Sequence, residues 1–368
     1  MPAESRELYV YLGYVEMYKK SIDDLFNQEV FPLSDAKTPG RTLEESFERS
    51  LGKLYQAVSG GYSHWAITYS GGKDSTLLTI LACEVLKRRL PWGPYAVDVI
   101  YSDTLQEIPP MHEIALNFLN HIKQLAQENE LPISVHITQP DWQQTFWFLI
   151  LGKGYPVPHR RFWWCTERLK IKPVKKVLQN LSASNTGVLT GVRFGESDRR
   201  DGRLKQSATC LGVGECGQVL RYQGALAPIA HWKTCQVWDF LAIYAPLWGW
   251  PTDKVVNLYG DTSARFGCWT CTLVDKDRAL EIAMQRNGNE YLRHLADFRQ
   301  RLLEVTSDPA SRILRPNGVP GKLKMEARRR LMEELIGLQE KLRLVLIRDE
   351  EIQAIQNFWS QDEKGDSY

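Results

Sequence analysis

From residue 65 the chain alternates short apolar runs with longer stretches of helical periodicity. Trp65-Ala66-Ile67-Thr68-Tyr69, Ala96-Val97-Asp98-Val99-Ile100-Tyr101, Ile133-Ser134-Val135-His136-Ile137 and Val188-Leu189-Thr190 have the length and the β-branched, aromatic content of strands. Between them, Thr76 to about Arg89 and Pro109 to Glu128 read as helices. This alternation predicts an α/β fold: a parallel twisted sheet with helices on both faces. Ahead of it, residues 7–28 and 42–58 read as amphipathic helices, the second with Phe47, Leu51, Leu54 and Tyr55 at helical spacing. From about Arg278 the pattern stays helical, including Met325 to Ile347, which the loop Arg315–Lys322 separates from what precedes it. The expected organisation is a helical appendage over 1–60, an α/β domain over 61–277 with a cysteine cluster, and a helical region over 278–368.

Composition adds limits. Hydrophobic residues make up 43% of the 368 positions and charged ones 24%, near globular averages. A net charge of +2 gives no global attraction to a polyanion, so any basic surface must be local. No window approaches the apolar length of a bilayer span, and the first residues lack a basic-then-apolar leader, so a cytoplasmic location without membrane partners is expected. Seven cysteines, an odd number, suit reduced thiols in metal or sulfur chemistry better than a disulfide framework.

The chemistry starts at Ser70-Gly71-Gly72-Lys73-Asp74-Ser75-Thr76, between the first strand and its helix. A strand, a glycine turn and a helix N-terminus aim backbone N–H groups at one point and stabilise an anion there. Gly71 and Gly72 let the main chain approach a ligand, Lys73 adds charge, and Ser70, Ser75 and Thr76 add hydroxyls. The spacing is that of neither Gly-x-x-x-x-Gly-Lys-Ser/Thr nor Gly-x-Gly-x-x-Gly. In a parallel sheet, ligands lie beyond the carboxyl ends of the strands, which puts Ser70, Asp103 and Gly191 on one rim. Asp74 and Asp103 are candidates for holding Mg²⁺ against phosphates, with helix capping and a turn as their plainer roles. Cys268-Trp269-Thr270-Cys271 offers two thiolates to one metal ion or cluster. Cys165 and Cys216 are the better further candidates, because Cys83 and Cys235 fall in helices.

The Ser-Gly-Gly-x-Asp-Ser form resembles the pyrophosphate loop of the ATP pyrophosphatase superfamily. That resemblance implies ATP as the nucleotide, cut between its α- and β-phosphates, with Lys73, Asp74 and Ser75 as catalytic residues. Arg161-Phe162-Trp163-Trp164-Cys165-Thr166-Glu167-Arg168-Leu169-Lys170-Ile171-Lys172-Pro173 is similar to the adenylylsulfate reductase motif of paired cysteines before Arg-Lys and Pro. The resemblance makes Cys165, Cys268 and Cys271 ligands of a [4Fe-4S] cluster, with zinc as the alternative. Trp164 stands where the motif has its other cysteine, which leaves Cys216, Cys210 or Asp261 as the fourth ligand. Together with Thr190-Gly191-Val192-Arg193-Phe194-Gly195-Glu196-Ser197, the pattern most resembles the DNA phosphorothioation sulfurtransferases DndC and SspD, from roughly Trp65 to Trp359. What this implies is a sulfurtransferase that adenylates the DNA backbone, with DNA, a cysteine desulfurase and other phosphorothioation proteins as partners. Arg193 and Glu196 would contact nucleotide or substrate.

The rival readings are an adenylylsulfate or phosphoadenylylsulfate reductase, a tRNA thiolation enzyme, and a non-catalytic zinc scaffold. No cysteine follows Cys271, which disfavours the reductase. The weaker signals have plain explanations: Trp147, Trp163, Trp164 and Trp269 as core or cluster shielding rather than base-stacking residues, and Lys175 and Lys176 as a solvated face. Arg328-Arg329-Arg330 with Lys322 and Lys324 reads equally as a solvated face or a DNA contact.

Overall fold

The computed structural model describes residues 42–159, 162–181, 185–206, 220–259, 266–274, 277–286 and 288–363. The helix expected over 7–28, and Cys210, Cys216 and Asp261, lie outside the described residues. Leu43–Tyr368 form one compact unit. Helix α1 (Leu43–Ser59) leads into β1 (His64–Tyr69), α2 (Lys73–Lys87), β2 (Ala96–Ser102), α3 (Pro109–Glu128) and β3 (Ile133–Thr138). After two π-helical turns, Phe148–Gly152 and Thr166–Ile171, come α4 (Lys172–Asn180), β4 (Thr186–Thr190), α5 (Asp198–Gln206), β5 (Arg221–Tyr222) and β6 (Ala225–Leu226). The remainder holds α6 (Thr234–Asp239), α7 (Asp253–Tyr259), α8 (Arg278–Met284), α9 (Leu292–Ser307), β7 (Arg312–Leu314), β8 (Pro320–Leu323), α10 (Met325–Leu342) and α11 (Asp349–Glu363).

The strands run β3-β2-β1-β4-β6-β5, with β1 parallel to β2 and β4, and β5 antiparallel to β6. The chain builds outward from β1 to β3, then returns to β4 on the other side of β1. That reversal opens a crevice beyond the carboxyl ends of β1 and β4, where a ligand enters a sheet of this kind. β1 is central because its apolar run serves both faces: Trp65, Ala66 and Ile67 are fully buried. Register puts Trp65, Ile67 and Tyr69 on one face with Val97, Val99 and Tyr101, and Tyr69 stacks on Phe118 of α3 at 5.4 Å. The other face carries Thr68, Ile100, Ser102 and Thr190 and is covered by α4. At its amino end, the buried Asp98 carboxylate accepts hydrogen bonds from His64 and, at 2.5 Å, from His136.

The C-terminal helices pack into a shared core with residues 146–151, where the indoles of Trp147 and Trp359 donate to Leu346 O (2.9 Å) and Leu151 O (2.8 Å). The helix expected to reach Ile347 stops at Leu342, where Arg343 takes a left-handed φ of 54°. The loop expected over Arg315–Lys322 is the turn of the β7–β8 hairpin, whose strand residues two prolines and two glycines disguise. Among the described residues, no helix is long and apolar enough to cross a membrane.

Candidate nucleotide and thiol site

The loop after β1 is shaped by its own side chains. Gly71 has φ +75°, and a Cβ there would lie 2.9 Å from the Cβ of Ala115, so glycine is required twice over. Ser75 Oγ and Thr76 Oγ1 donate to Gly72 O at 2.9 and 3.0 Å, and Ser70 N donates to Ser75 Oγ at 3.2 Å. No side chain caps α2 at Gly72, which leaves its first N–H groups for a ligand anion. Lys73 is buried, its Nζ 3.0 Å from Asp74 Oδ2 and near the faces of Trp238 and Tyr259 (5.9 and 5.7 Å to the ring centres).

Ser70, Gly72, Lys73, Asp74 and Ser75 line a cavity of about 510 Å³, with Gly191, Glu196 and Arg200 beside them. Ile100, Val174 and Leu178 make its apolar wall, and Lys170, Lys175 and Tyr259 complete it. One end offers N–H groups and cations, the other apolar surface, a division that suits a nucleotide's phosphates and base. Gly191 is where the sequence placed it, against α2: a Cβ on it would lie 2.9 Å from Asp74 C, Asp74 O and Ser75 N. Glu196 holds the guanidinium of Arg200 at 2.6 Å and so fixes a cation at the cavity.

Two expected ligand contacts sit elsewhere. Arg193 is buried behind the cavity, where its Nε donates to Asp74 Oδ1 at 2.6 Å and Nη1 to Trp232 O at 2.9 Å; it positions Asp74 rather than meeting the nucleotide. Its bonds to Asp74, Trp232 O and Thr234 Oγ1 hold the guanidinium there. Asp74 itself is engaged by Lys73 and Arg193. Asp103 lines a second cavity of about 420 Å³, with Glu107, His112, Trp269, Leu346 and Arg348. Its carboxylate accepts from Leu105 N (2.9 Å) and Gln139 Nε2 (2.8 Å), and donor atoms of Asp103, Glu107 and His112 lie within 4.8 Å of one another. Burial raises the Glu107 carboxyl above the usual range, and Lys170 partly offsets it.

The fold pairs two of the four expected metal ligands, the thiols of Cys268 and Cys271, and sets Cys165 near enough to act on them electrostatically, but the three sulfurs do not all come within 4.8 Å of one another. Main-chain bonds set their place. Trp269 N donates to Gln106 O at 3.0 Å and Glu107 bridges Cys268, which docks the Cys-x-x-Cys turn on the loop leaving β2. Thr272 Oγ1 donates to Pro158 O at 2.6 Å, tying the turn to the segment that leads to Cys165. The buried Arg299 guanidinium donates to the carbonyls of Cys271 and Val274. A hydrogen bond from Cys268 lowers the Cys271 thiol to about 6 and burial opposes it, while the same pairing and burial push Cys268 up. Cys83 is buried in α2 with its thiol pushed up by burial, and Cys235 is exposed on α6, so neither joins these cysteines. The Cys268–Cys271 turn offers two soft donors, and the buried Thr270 hydroxyl between them lacks a partner.

Several residues escaped sequence reasoning. Tyr259 comes from α7, nearly two hundred residues from the loop it flanks, with no local signal. Lys175 lines the nucleotide cavity, whereas its neighbour Lys176 pairs with Asp141 at the surface. Arg328 is no part of a solvated face: it is buried and donates to Gly152 O and Asp362. Trp147, Trp164 and Trp269 are buried as expected, but Trp163 is not.

A mostly parallel sheet with its glycine loop at the reversal of strand order defines an α/β protein of the doubly wound class. The model of the phosphoadenosine phosphosulfate reductase domain matches residues 64–274, and the chain belongs to that family. Two uncharacterized proteins of Methanocaldococcus jannaschii are 27% identical over 209 residues and 24% identical over 230, covering 57% and 62% of this chain. The aligned regions are 36% and 46% of those relatives, so the chain spans less than half their length. Among solved structures, phosphoadenylyl-sulfate reductase from Candida auris in a phosphate complex is similar over 64% of this chain and 100% of its own, at 16% identity and a TM-score of 0.36. The U34-tRNA thiolase NcsA from Methanococcus maripaludis, solved with its [4Fe-4S] cluster, covers 71% of this chain and 80% of its own at 14% identity and 0.36. The NH3-dependent NAD synthetase of Campylobacter jejuni covers 77% and 100%, at 14% and 0.35.

Proposed function

We propose that this protein is an ATP-dependent sulfurtransferase that cleaves ATP to AMP and pyrophosphate and replaces an activated phosphate oxygen of DNA with sulfur. The observation that carries the reading is the Cys268–Cys271 thiol pair docked against the loop leaving β2, on the same rim as the phosphate loop. In the first step an acceptor phosphate oxygen attacks the α-phosphorus of ATP, and the bond to pyrophosphate breaks. The N–H groups at the start of α2, Lys73 and Arg200 stabilise the charge gathering on the departing phosphates. Mg²⁺, with Asp74 at hand, would neutralise the same phosphates. In the second step hydrosulfide attacks the adenylated phosphorus and AMP leaves with the bonding pair, so a P–S bond replaces a P–O bond without net oxidation or reduction. A cysteine desulfurase would be the sulfur source, its persulfide reduced by a thiol reductant to release the hydrosulfide, with other phosphorothioation proteins alongside.

Cys165, Cys268 and Cys271 would hold a [4Fe-4S] cluster, or zinc, with Cys216, Cys210 or Asp261 as the fourth ligand. When bound, it would supply a Lewis-acidic metal that holds sulfide as its nucleophilic anion. The test is pyrophosphate release from ATP and Mg²⁺ by anaerobically purified protein, with and without DNA. Lys73→Ala and Asp74→Ala should abolish it, and iron, sulfide and zinc analysis should identify the metal. Release of sulfite from adenylylsulfate without pyrophosphate from ATP would instead establish the reductase reading.

A further inference from the structure

Two adjacent tryptophans before Cys165 have opposite fates. Trp164 is 5% exposed, donates to Pro156 O at 3.0 Å and packs on Phe146 and Tyr155. Trp163 is 49% exposed, and beside it Phe162 is 40% exposed. Two adjacent aromatic side chains left about half exposed offer a surface that a ligand can cover. Over the ring of Trp163 lies the guanidinium of Arg199, 5.8 Å from the ring centre. Arg199 is itself exposed, and the next residue, Arg200, lines the nucleotide cavity. Trp163 is thus two positions from Cys165 along the chain and in contact with Arg199, whose neighbour Arg200 lines the cavity.

An exposed indole flanked by arginine is the chemistry that captures an unpaired nucleobase: the base stacks on the ring while the guanidinium meets the adjoining phosphate. We infer that Trp163, with Phe162 and Arg199, is a stacking platform that seats an unpaired nucleotide of the acceptor strand, so that its phosphate reaches both the adenylation cavity and the thiols. The inference rests on the nucleic-acid acceptor proposed above and adds what that proposal lacks, a positioning surface and a preference for unpaired bases. Lys170 and Lys175, which also line the cavity, extend the positive charge along the path of the backbone.

The test is binding of fluorescein-labelled oligonucleotides by anisotropy, without ATP, to the full chain with its metal. The arms are single-stranded DNA, the same sequence as a duplex, and single-stranded RNA. Single strands should bind more tightly than the duplex, and Trp163→Ala should weaken them about 5- to 150-fold, the equivalent of ~1–3 kcal/mol per stacked base. Trp163→Phe should recover most of the loss, which a merely structural role would not produce. Arg199→Gln should lower the salt dependence of binding by about one counterion. DNA over RNA, or the reverse, assigns the acceptor. Unchanged binding by Trp163→Ala, equal loss in the Ala and Phe variants, or duplex preferred over single strand would overturn the platform. Because ATP is absent from this assay, failure of pyrophosphate release refutes the proposed reaction alone, and failure of Trp163 dependence refutes the platform alone.

Discussion

Gly191→Ala tests the contact on which the nucleotide cavity depends. A Cβ at this position would lie 2.9 Å from the backbone atoms Asp74 C, Asp74 O and Ser75 N, while ordinary contact falls at 3.4–4 Å. Relief requires the end of β4 and the start of α2 to separate by ~0.5–1 Å, and neither is a flexible side-chain tip. Overpacking of this kind costs about 1–3 kcal/mol of stability, and a ~1 Å misplacement at a reacting centre costs about 10²-fold in rate. Gly187→Ala is the matched control. It meets Tyr62 Cβ at 2.8 Å but sits at the opposite, amino end of the same strand. Both variants should show similar losses in thermal midpoint, whereas only Gly191→Ala should lose pyrophosphate release, by about 100-fold in kcat/KM for ATP. Equal activity losses in the two variants, or an unaffected Gly191→Ala enzyme, would refute the juxtaposition of β4 with the phosphate loop.

Other outcomes follow from single groups. In metal-free protein, alkylation of Cys271 by iodoacetamide should be half-maximal near pH 6, and Cys268→Ala, which removes the hydrogen-bond donor, should move that midpoint upward; peptide mass spectrometry reads both, and a wild-type midpoint above 8 would contradict the pairing. Glu351 is buried with its carboxyl raised, so the folded state holds its proton more tightly and the associated stability, full below the unfolded value, is lost as pH rises through the folded one. Glu351→Gln keeps an acceptor for Thr145 and Phe148 N, and its melting temperature relative to wild type should climb from pH 4 toward 7; a flat difference would be the contrary result. Arg193→Ala leaves half-buried Asp74 with one cation instead of two, so kcat/KM for ATP should fall while the thiol centre keeps its metal content. Arg299→Ala should do the reverse, lowering metal content through loss of its bonds to Cys271 and Val274, as metal analysis would show.

The sheet and phosphate loop were legible because their determinants are local: a run of apolar residues too short for a helix, two glycines, and a helix that starts at once. The strands begin and end within a residue or two of where β-branched and aromatic runs placed them. What escaped was direction. Whether Arg193 faces the ligand or lies behind Asp74, whether Trp163 or Trp164 goes inside, and whether Lys175 or Lys176 reaches the cavity all turn on rotations of one residue along the chain. Partners elsewhere in the fold fix those rotations, from Pro156, 8 positions from Trp164, to Asp74, 119 from Arg193. The β7–β8 hairpin was hidden for another reason: β7 carries exposed Ile313 and Leu314, and β8 alternates in burial through Pro320, Gly321 and Lys322, where the alternation does not show as hydrophobicity.

The π-helical turn at Thr166–Ile171 joins Cys165 to the straight helix that roofs the nucleotide cavity. A wide turn of this sort accommodates one residue more than ordinary α-helix does. Removing a single amino acid there would let the segment tighten into ordinary α-helix with its two ends still in phase, whereas the same deletion in the regular helix that follows would turn Cys165 by about 100° around the axis. Tolerance to a change of length is thus uneven along this stretch: the six wide-turn residues can lose one and leave Cys165 facing the same way, and the roof helix cannot.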